Sequence, residues 1–521
     1  MMKFSVIVPT YNSEKYITEL LNSLAKQDFP KTEFEVVVVD DCSTDQTLQI
    51  VEKYRNKLNL KVSQLETNSG GPGKPRNVAL KQAEGEFVLF VDSDDYINKE
   101  TLKDAAAFID EHHSDVLLIK MKGVNGRGVP QSMFKETAPE VTLLNSRIIY
   151  TLSPTKIYRT ALLKDNDIYF PEELKSAEDQ LFTMKAYLNA NRISVLSDKA
   201  YYYATKREGE HMSSAYVSPE DFYEVMRLIA VEILNADLEE AHKDQILAEF
   251  LNRHFSFSRT NGFSLKVKLE DQPQWINALG DFIQAVPERV DALVMSKLRP
   301  LLHYARAKDI DNYRTVEESY RQGQYYRFDI VDGKLNIQFN EGEPYFEGID
   351  IAKPKVKMTA FKFDNHKIVT ELTLNEFMIG EGHYDVRLKL HSRNKKHTMY
   401  VPLSVNANKQ YRFNIMLEDI KAYLPKDFNN ISLYFTAITL TDSISMKLKG
   451  KNKIILTGLD RGYVFEEGMA SVVLKDDMVM GMLSQTSENE VQILLSKDIK
   501  KRDFKNIVKL NTAHITYPLN K

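Results

Sequence analysis

At 521 residues, with 27% charged and 43% hydrophobic side chains and a net charge of −4, the chain is too long for one core, and roughly two to four domains are expected. The balance is an ordinary soluble one; nucleic acid is not expected as a partner, and no apolar run approaches the ~20 residues that span a bilayer. The single cysteine, Cys42, excludes an intrachain disulfide framework. No signal peptide precedes Val6, so a cytoplasmic location is expected, with a peripheral place at the inner membrane face left open.

Phe4 to Val8 reads as a short apolar strand closed by Pro9, which has no N–H to continue a ladder. Asn12 or Ser13 can cap a helix from Glu14 to Lys26, where Tyr16, Ile17, Leu20, Leu21 and Leu24 recur at helical spacing. Val36 to Val39 is a second buried strand, running into Asp40-Asp41-Cys42-Ser43-Thr44-Asp45. A helix from Thr47 to about Leu58, a short strand from Lys61 to Leu65, a glycine- and proline-rich loop from Asn68 to Arg76 and a helix from Asn77 to Ala83 follow. Phe87 to Val91 is then a continuous apolar run, the habit of a strand buried on both faces. It ends in Asp92-Ser93-Asp94-Asp95. Carboxylates packed this tightly repel one another, and a reason to gather them is a hard divalent cation that takes oxygen ligands and shares them with a diphosphate; the bland alternative is a solvated acidic turn. The β-α-β-α-β alternation argues a doubly wound parallel sheet, whose polar strand ends converge on one crevice.

Ser5-Val-Ile-Val-Pro-Thr-Tyr-Asn12, Val38-Val-Asp-Asp41 with Ser43-Thr-Asp45, Asn68-Ser-Gly-Gly-Pro-Gly73 with Arg76-Asn77, and Val91-Asp-Ser-Asp-Asp95 together resemble the family 2 inverting glycosyltransferases of the GT-A fold, over about the first 215 residues. The resemblance implies that Pro9 and Tyr11 line the nucleotide pocket, Asp41 accepts from the uracil imide, and Asn68 and Arg76 hold the base and approach the phosphates. It also implies that Asp92 binds the ribose, with Ser93 beside it, and that Asp94 binds Mn²⁺ or Mg²⁺ across the diphosphate. Asp40 has an Asx turn as its bland alternative.

Ser114 to Lys120 reads as another strand, and Gly123 to Gly128 as a loop carrying Arg127, which can swing over a diphosphate or simply face solvent. Ser153 to Tyr158 and Thr160 to Lys164 resemble the strand and helix that floor the acceptor side in this family. Ser176-Ala-Glu-Asp-Gln180 then precedes an apolar helix from Leu181 to Leu188. There the resemblance makes Asp179 the general base and Glu178 its neighbour; helix capping by acids is the alternative. Two adjacent carboxylates suppress each other's ionisation, so one is expected with a raised pKa. After a strand from Val195 to Tyr203, Arg207, His211 and Ser213 fall where the family has a segment that closes over the sugar nucleotide.

From Pro219 to about Arg321 the spacing turns helical, and its aromatic stripes read as core. Beyond Gln324 it tends to period 2, as in Val356 to Phe363 and Tyr434 to Leu440, which argues tandem immunoglobulin-like sandwiches. The expected division is a GT-A catalytic domain over 1–217, a helical connector over 218–323, a linker over 324–348, and β-sandwiches over 349–425 and 426–521. The first sandwich is short for seven strands, as though residues were missing at the Pro425–Lys426 junction. This long form resembles the glycosyltransferases that decorate wall teichoic acid. The implied donor is UDP-N-acetylglucosamine, the implied acceptor a ribitol hydroxyl of poly(ribitol phosphate), and the implied assembly a homotrimer through the C-terminal sandwiches. Bases outnumber acids between Lys353 and Lys396, which suits a polyanionic acceptor. A capsule or exopolysaccharide transferase with the same donor, and a carbohydrate-binding scaffold without catalysis, are the alternatives.

Overall fold

A computed structural model describes residues 2–174, 176–207, 217–256, 263–322, 325–331 and 334–349, and beyond them the backbone of eleven strands between Val356 and Ser496. The chain divides into two compact units, Met1–Tyr313 and Arg314–Lys521.

In the first unit the apolar runs form the strands their composition demands. β1 (Phe4–Thr10) and β2 (Phe34–Asp40) are buried along their whole length, as strands covered on both faces must be. β3 (Leu60–Gln64) and β4 (Phe87–Phe90) join them in parallel, with α1 (Ile17–Ala25), α2 (Thr47–Glu52) and α3 (Gly73–Gln82) as crossovers. The register sets Thr10 level with Asp40. β5 (Tyr96–Ile97), α4 (Thr101–His112), β6 (Val116–Ile119), β7 (Met121–Val124), β8 (Ala138–Val141), β9 (Ile157–Arg159), α5 (Thr160–Asp165), α6 (Glu178–Asn189), β10 (Ile193–Leu196) and β11 (Tyr202–Thr205) complete this part. The eight-stranded sheet has the order β3-β2-β1-β4-β9-β6-β10-β8, and β5-β11-β7 form a second, small sheet.

The sheet is mixed where the alternation suggested a wholly parallel one. β9 runs antiparallel to both β4 and β6, and β8 antiparallel to β10. β9 is held in this sense at its far end. Arg159 bonds Asp115 at 2.8 Å and Glu86 at 3.3 Å, while the Thr160 hydroxyl donates to the Gly85 carbonyl at 2.6 Å. Because β9 is reversed, the residues before it, from Thr151 to Lys156, lie at the carboxyl edge of the sheet. Other boundaries move as well: α3 begins at Gly73, ahead of the expected Asn77, with Pro75 tolerated in its first turn. The expected strand from Val195 to Tyr203 divides into the ends of β10 and β11.

Behind the acidic strand end, Phe90 meets Tyr158, Phe170 and Phe182 edge-on at 5.9, 5.3 and 5.5 Å, and Phe170 stacks on Phe182 at 3.9 Å. Such pairs add about 0.5–1.5 kcal/mol beyond area burial and fix the edge on which the polar groups stand.

α7 (Pro219–Asn235), α8 (Glu240–Ser256), α9 (Phe263–Lys266), α10 (Gln272–Gln284), α11 (Arg299–Arg306) and α12 (Ile310–Gln322) form the helical part. Ser218 caps α7 by accepting from the Asp221 N–H at 3.1 Å. Tyr223, His254 and Phe282 are buried together as core, and burial pushes His254 down to about 3, leaving it neutral.

The 324–348 stretch, expected as a linker, carries a three-stranded antiparallel sheet of β12 (Arg327–Val331), β13 (Lys334–Gln338) and β14 (Phe346–Ile349). Phe339 packs there against Tyr320, Tyr325 and Phe346. Beyond it the described chain is all strand: β15 (Val356–Asp364), β16 (Lys367–Thr373), β17 (Arg387–Ser392), β18 (Thr398–Pro402), β19 (Tyr411–Met416), β20 (Asn430–Thr441), β21 (Ile444–Gly450), β22 (Tyr463–Val464), β23 (Ala470–Asp476), β24 (Val479–Gln485) and β25 (Val491–Ser496). Strands on either side of the expected 425/426 division pair with each other, β15 with β21 and β17 with β20. The Pro425–Lys426 junction and the side chains between Lys353 and Lys396 lie outside the described residues. Among the described residues no helix is long and apolar enough to cross a membrane.

Candidate active site

Four loops meet at the carboxyl edge of β1, β2 and β4. The first joint is structural. Asp40, fully buried, accepts from the Thr10 hydroxyl at 2.9 Å, the Ser43 N–H at 2.8 Å and Gln64 at 3.0 Å, so the local turn suggested for it is what it makes. Asp41 faces the next loop: its carboxylate accepts from the Ser69 N–H at 2.8 Å and the Asn68 amide at 3.2 Å, and that amide also donates to the Asp41 carbonyl at 3.0 Å. Asp41 and Asn68, both expected to hold a base, form one platform. Pro9 lies in β1 level with Val39, and Tyr11 just beyond is 50% exposed at the rim.

The acidic strand end divides its labour. Asp95 turns inward, accepting from the Tyr202 hydroxyl and the Thr205 N–H, both at 2.7 Å. It ties β11 to the edge. The Ser93 hydroxyl bonds that of Ser13 at 2.7 Å. Asp94 gives its carbonyl to Arg207, at 3.0 and 2.6 Å, while Arg207 also bonds Glu19 at 2.6 Å and lies over the Tyr16 ring. The Asp94 carboxyl is pushed above the usual carboxylate range by burial and by Asp92, with the charges of Arg127 and Arg207 pulling the other way. An anionic oxygen donor in this position is the kind of ligand a hard cation takes. Among the described residues no group of three or more His, Cys, Asp or Glu is set to hold a metal ion, so the fit rests on Asp94. Arg127 is exposed in the turn after β7. His211 and Ser213 lie outside the described residues.

α6 brings the remaining pair. Its first residue, Glu178, follows Ala177 in the left-handed conformation at φ 58°, a backbone state that a non-glycine residue adopts only when its surroundings impose it. Arg76 reaches both sides from the first turn of α3, donating to Asp92 at 2.7 Å and to Glu178 at 3.4 Å over the Phe170 ring. It is 5% exposed. Expected to hold the base and approach the phosphates, it stands here between two carboxylates. Asp179 is pushed up to about 7, first by burial and then by Glu178, with Arg76 and Arg253 opposing.

Two groups near Asp179 are not apparent from the sequence. Lys156, buried, donates to the Ser153 carbonyl and is pushed down to about 7 by burial, with Asp179 opposing. A lysine inside a strand-like run is its only signal. Arg253 comes from α8 and feels Asp179, Tyr150 and Tyr187; nothing local in a helical stretch marks it.

The profile described as Glycosyl transferase family 2 matches residues 5–167, Glycosyl transferase TarS linker domain matches 219–317, and TarS C-terminal domain 2 matches 440–517. The chain is 90% identical to the poly(ribitol-phosphate) beta-N-acetylglucosaminyltransferase TarS of Staphylococcus aureus strain Mu50, with all of both chains covered. That alignment runs over 572 positions against 521 residues here, so the relative carries stretches that this chain lacks. A poly(ribitol-phosphate) beta-glucosyltransferase of Bacillus spizizenii is 47% identical over 67% of this chain and 58% of its own length. Among solved structures, S. aureus TarS covers 99% of this chain and all of its own, with 82% identity and a TM-score of 0.69. S. aureus TarS 1-349 in complex with UDP covers 67% of this chain and all of its own, with 96% identity and a TM-score of 0.64.

Proposed function

The chain belongs to the TarS group of glycosyl transferase family 2, and from that premise we propose that it transfers N-acetylglucosamine from UDP-N-acetylglucosamine to ribitol hydroxyls of poly(ribitol phosphate), forming a β linkage in wall teichoic acid. The observation that carries this reading is the convergence at one sheet edge of Asp41 with Asn68, Asp92 with Asp94, and Glu178 with Asp179.

Asp41 and Asn68 take the uracil beside Pro9 and Tyr11, and Asp92 accepts from the ribose hydroxyls with Ser93 at its side. Arg127 and Arg207 are assigned to the diphosphate, and so by sequence position are His211 and Ser213, which lie outside the described residues. Asp94 would hold a divalent cation, Mn²⁺ or Mg²⁺, which when bound neutralises charge on the departing diphosphate. Asp179 removes the proton of the acceptor hydroxyl. The ribitol oxygen then forms its bond to the anomeric carbon from the face opposite UDP, the bond from that carbon to the UDP oxygen breaks, and UDP leaves with the electron pair. Configuration inverts in this single displacement. Glu178 orients the sugar beside the base.

The C-terminal part is assigned to the assembly of three chains, and its sequence, with bases outnumbering acids between Lys353 and Lys396, suits a polyanion. A nucleotide-sugar donor and the single Cys42 fit a cytoplasmic enzyme working at the inner membrane face. The name of the Bacillus relative favours one second reading, glucose in place of N-acetylglucosamine.

The test is UDP release with UDP-N-acetylglucosamine or UDP-glucose and with poly(ribitol phosphate), a capsule polysaccharide or no acceptor, followed by NMR of the product's anomeric proton. Polymer-dependent release with the N-acetylated donor and a β product is expected. Preference for glucose would move the donor assignment, and preference for the capsule polymer would overturn the acceptor.

A further inference from the structure

Lys156 ends the stretch that runs from Thr151 along the carboxyl edge of the sheet into β9. It is 2% exposed, and a buried ammonium tends to lose its charge unless a partner holds it. Its Nζ donates to the Ser153 carbonyl, which also accepts from the Thr183 hydroxyl at 3.2 Å, and it stands 5.9 Å from the centre of the Tyr187 ring. Among the described residues no carboxylate pairs with it directly. Thr183 and Tyr187 are buried on α6. Asp179, Thr183 and Tyr187 recur at every fourth residue, which puts them on one face of that helix. The Tyr187 hydroxyl donates in turn to the Thr151 carbonyl at 3.2 Å. Loop and helix face are thus laced together at Thr151 and Ser153, with Lys156 inside the lacing and Asp179 one turn before Thr183.

Asp179 is the charge that reaches Lys156 and opposes the effect of its burial. Attraction between two charges is mutual, so an ammonium here favours the carboxylate form of Asp179. The other charges facing Asp179 are Glu178 beside it, Arg76 from α3 and Arg253 from α8. Tyr158, which also faces Asp179, and Tyr187 are kept neutral by burial. Arginines keep their charge at any working pH. The Lys156 amine, pushed down by burial to about 7, can gain or lose a proton there. We propose that Lys156 is a positioning residue that carries the proton which would otherwise settle on Asp179, and so keeps the base ionised when the acceptor hydroxyl arrives. The inference rests on the transferase reading of the site and on Asp179 as its base. Before the transfer the pair holds one proton, as ammonium and carboxylate. Asp179 takes the acceptor proton as the ribitol oxygen bonds to the anomeric carbon, Lys156 keeps its own, and the proton gained leaves Asp179 for solvent before the next turnover. With the first proton on Asp179 instead, the carboxyl is neutral and cannot act as the base.

The test is the pH profile of kcat/KM for poly(ribitol phosphate) at saturating UDP-N-acetylglucosamine, for the unmodified full chain and for Lys156→Met. Methionine keeps the unbranched shape and removes a buried charge, so the variant should unfold at no lower a temperature. Its acid limb is expected to move up by about one pH unit or more, which lowers kcat/KM at pH 7 at least about fivefold, and the loss should shrink to within about threefold near pH 10. In an Asp179→Asn chain, Lys156→Met is expected to lower kcat/KM by no more than a further threefold or about that, because the lysine acts through the base. A limb that stays in place, whether or not activity falls, would overturn the proposal and leave Lys156 a packing group. Losses that multiply in the pair would overturn it as well. If Lys156→Met does not fold, Lys156→Gln takes its place, with the same results supporting or overturning the proposal. An unmodified chain that transfers nothing would defeat the transferase reading, and normal kcat in Asp179→Asn would defeat the base assignment; either takes this inference with it. A limb that does not move in an active enzyme dependent on Asp179 defeats the inference alone.

Discussion

Asn77 and Phe170 exchange two hydrogen bonds of 2.8 Å across 93 residues of chain, the Asn77 amide nitrogen donating to the Phe170 carbonyl and its oxygen accepting from the Phe170 N–H. A side-chain amide thus pairs with the backbone as a neighbouring strand would. The same amide reaches Glu172 at 3.0 Å. This clasp fixes the loop that leads into α6. Asn77→Ala leaves two buried backbone groups unmet, at about 1–3 kcal/mol in stability. We expect that loss in a denaturant titration, with transfer reduced at least tenfold and UDP affinity nearly unchanged. Full stability in the variant would show that the loop is held elsewhere.

Asp179→Asn keeps the shape of the base and removes its ability to take a proton. Transfer is expected to fall by about 10²–10⁴, while calorimetry still registers UDP binding. Near-normal kcat would move the base to Glu178.

The pH dependence follows from the same residue. Burial and Glu178 push Asp179 up to about 7, and only its deprotonated form accepts a proton. Log kcat/KM for the acceptor should therefore rise with pH up to about 7 and level off above it. Lys156 is drawn down into the same range, so the midpoint belongs to the cluster rather than to one group. A limb centred near 4 would contradict this.

Much of this site was legible because its chemistry sits on strand ends. A continuous apolar run that stops at clustered aspartates announces both the strand and the edge, and the loop motifs between Asn68 and Asn77 fall beside it. What stayed hidden depends on partners distant in sequence. Nothing within Ile157–Arg159 reveals that it runs backwards between β4 and β6; Asp115 and Glu86 decide that. The ties of Arg76 to Asp92 and Glu178 were hidden because those carboxylates lie 16 and 102 residues away. Arg207 read as part of a closing segment, yet its guanidinium already holds the Asp94 carbonyl. The 324–348 stretch read as a linker because its strands are short, and pairing rather than composition makes them a sheet.

Asp94 stands at a strand end rather than in the core, so Asp94→Ala should unfold at the same temperature as the unmodified chain and yet fail to transfer. Chelating divalent cations from the unmodified enzyme should have the same effect, reversed by Mn²⁺ or Mg²⁺. Turnover that survives chelation would remove the metal from the mechanism.

A chain ending near Gln324 keeps all the candidate site residues. It should be a monomer by light scattering, still release UDP from the donor, and work less well on long polymer than the full chain, whose advantage should shrink as salt screens it. A trimer from the shortened chain would refute assembly through the C-terminal strands, and equal polymer kinetics at low and high salt would remove the electrostatic contribution.

The reversed β9 bears on how the protein is made. Chains grow at about 5–20 residues per second, so β4 emerges several seconds before Ile157–Arg159, the strand that must come to lie between it and β6. Until then β4 and β6 are two unfilled edges of hydrophobic strand, each a template for unwanted pairing. Phe90 also waits for Tyr158, Phe170 and Phe182, and Arg76 waits for Glu178. The donor platform is therefore finished while the middle of its sheet is still missing, and this interval is when a nascent chain is most exposed to aggregation.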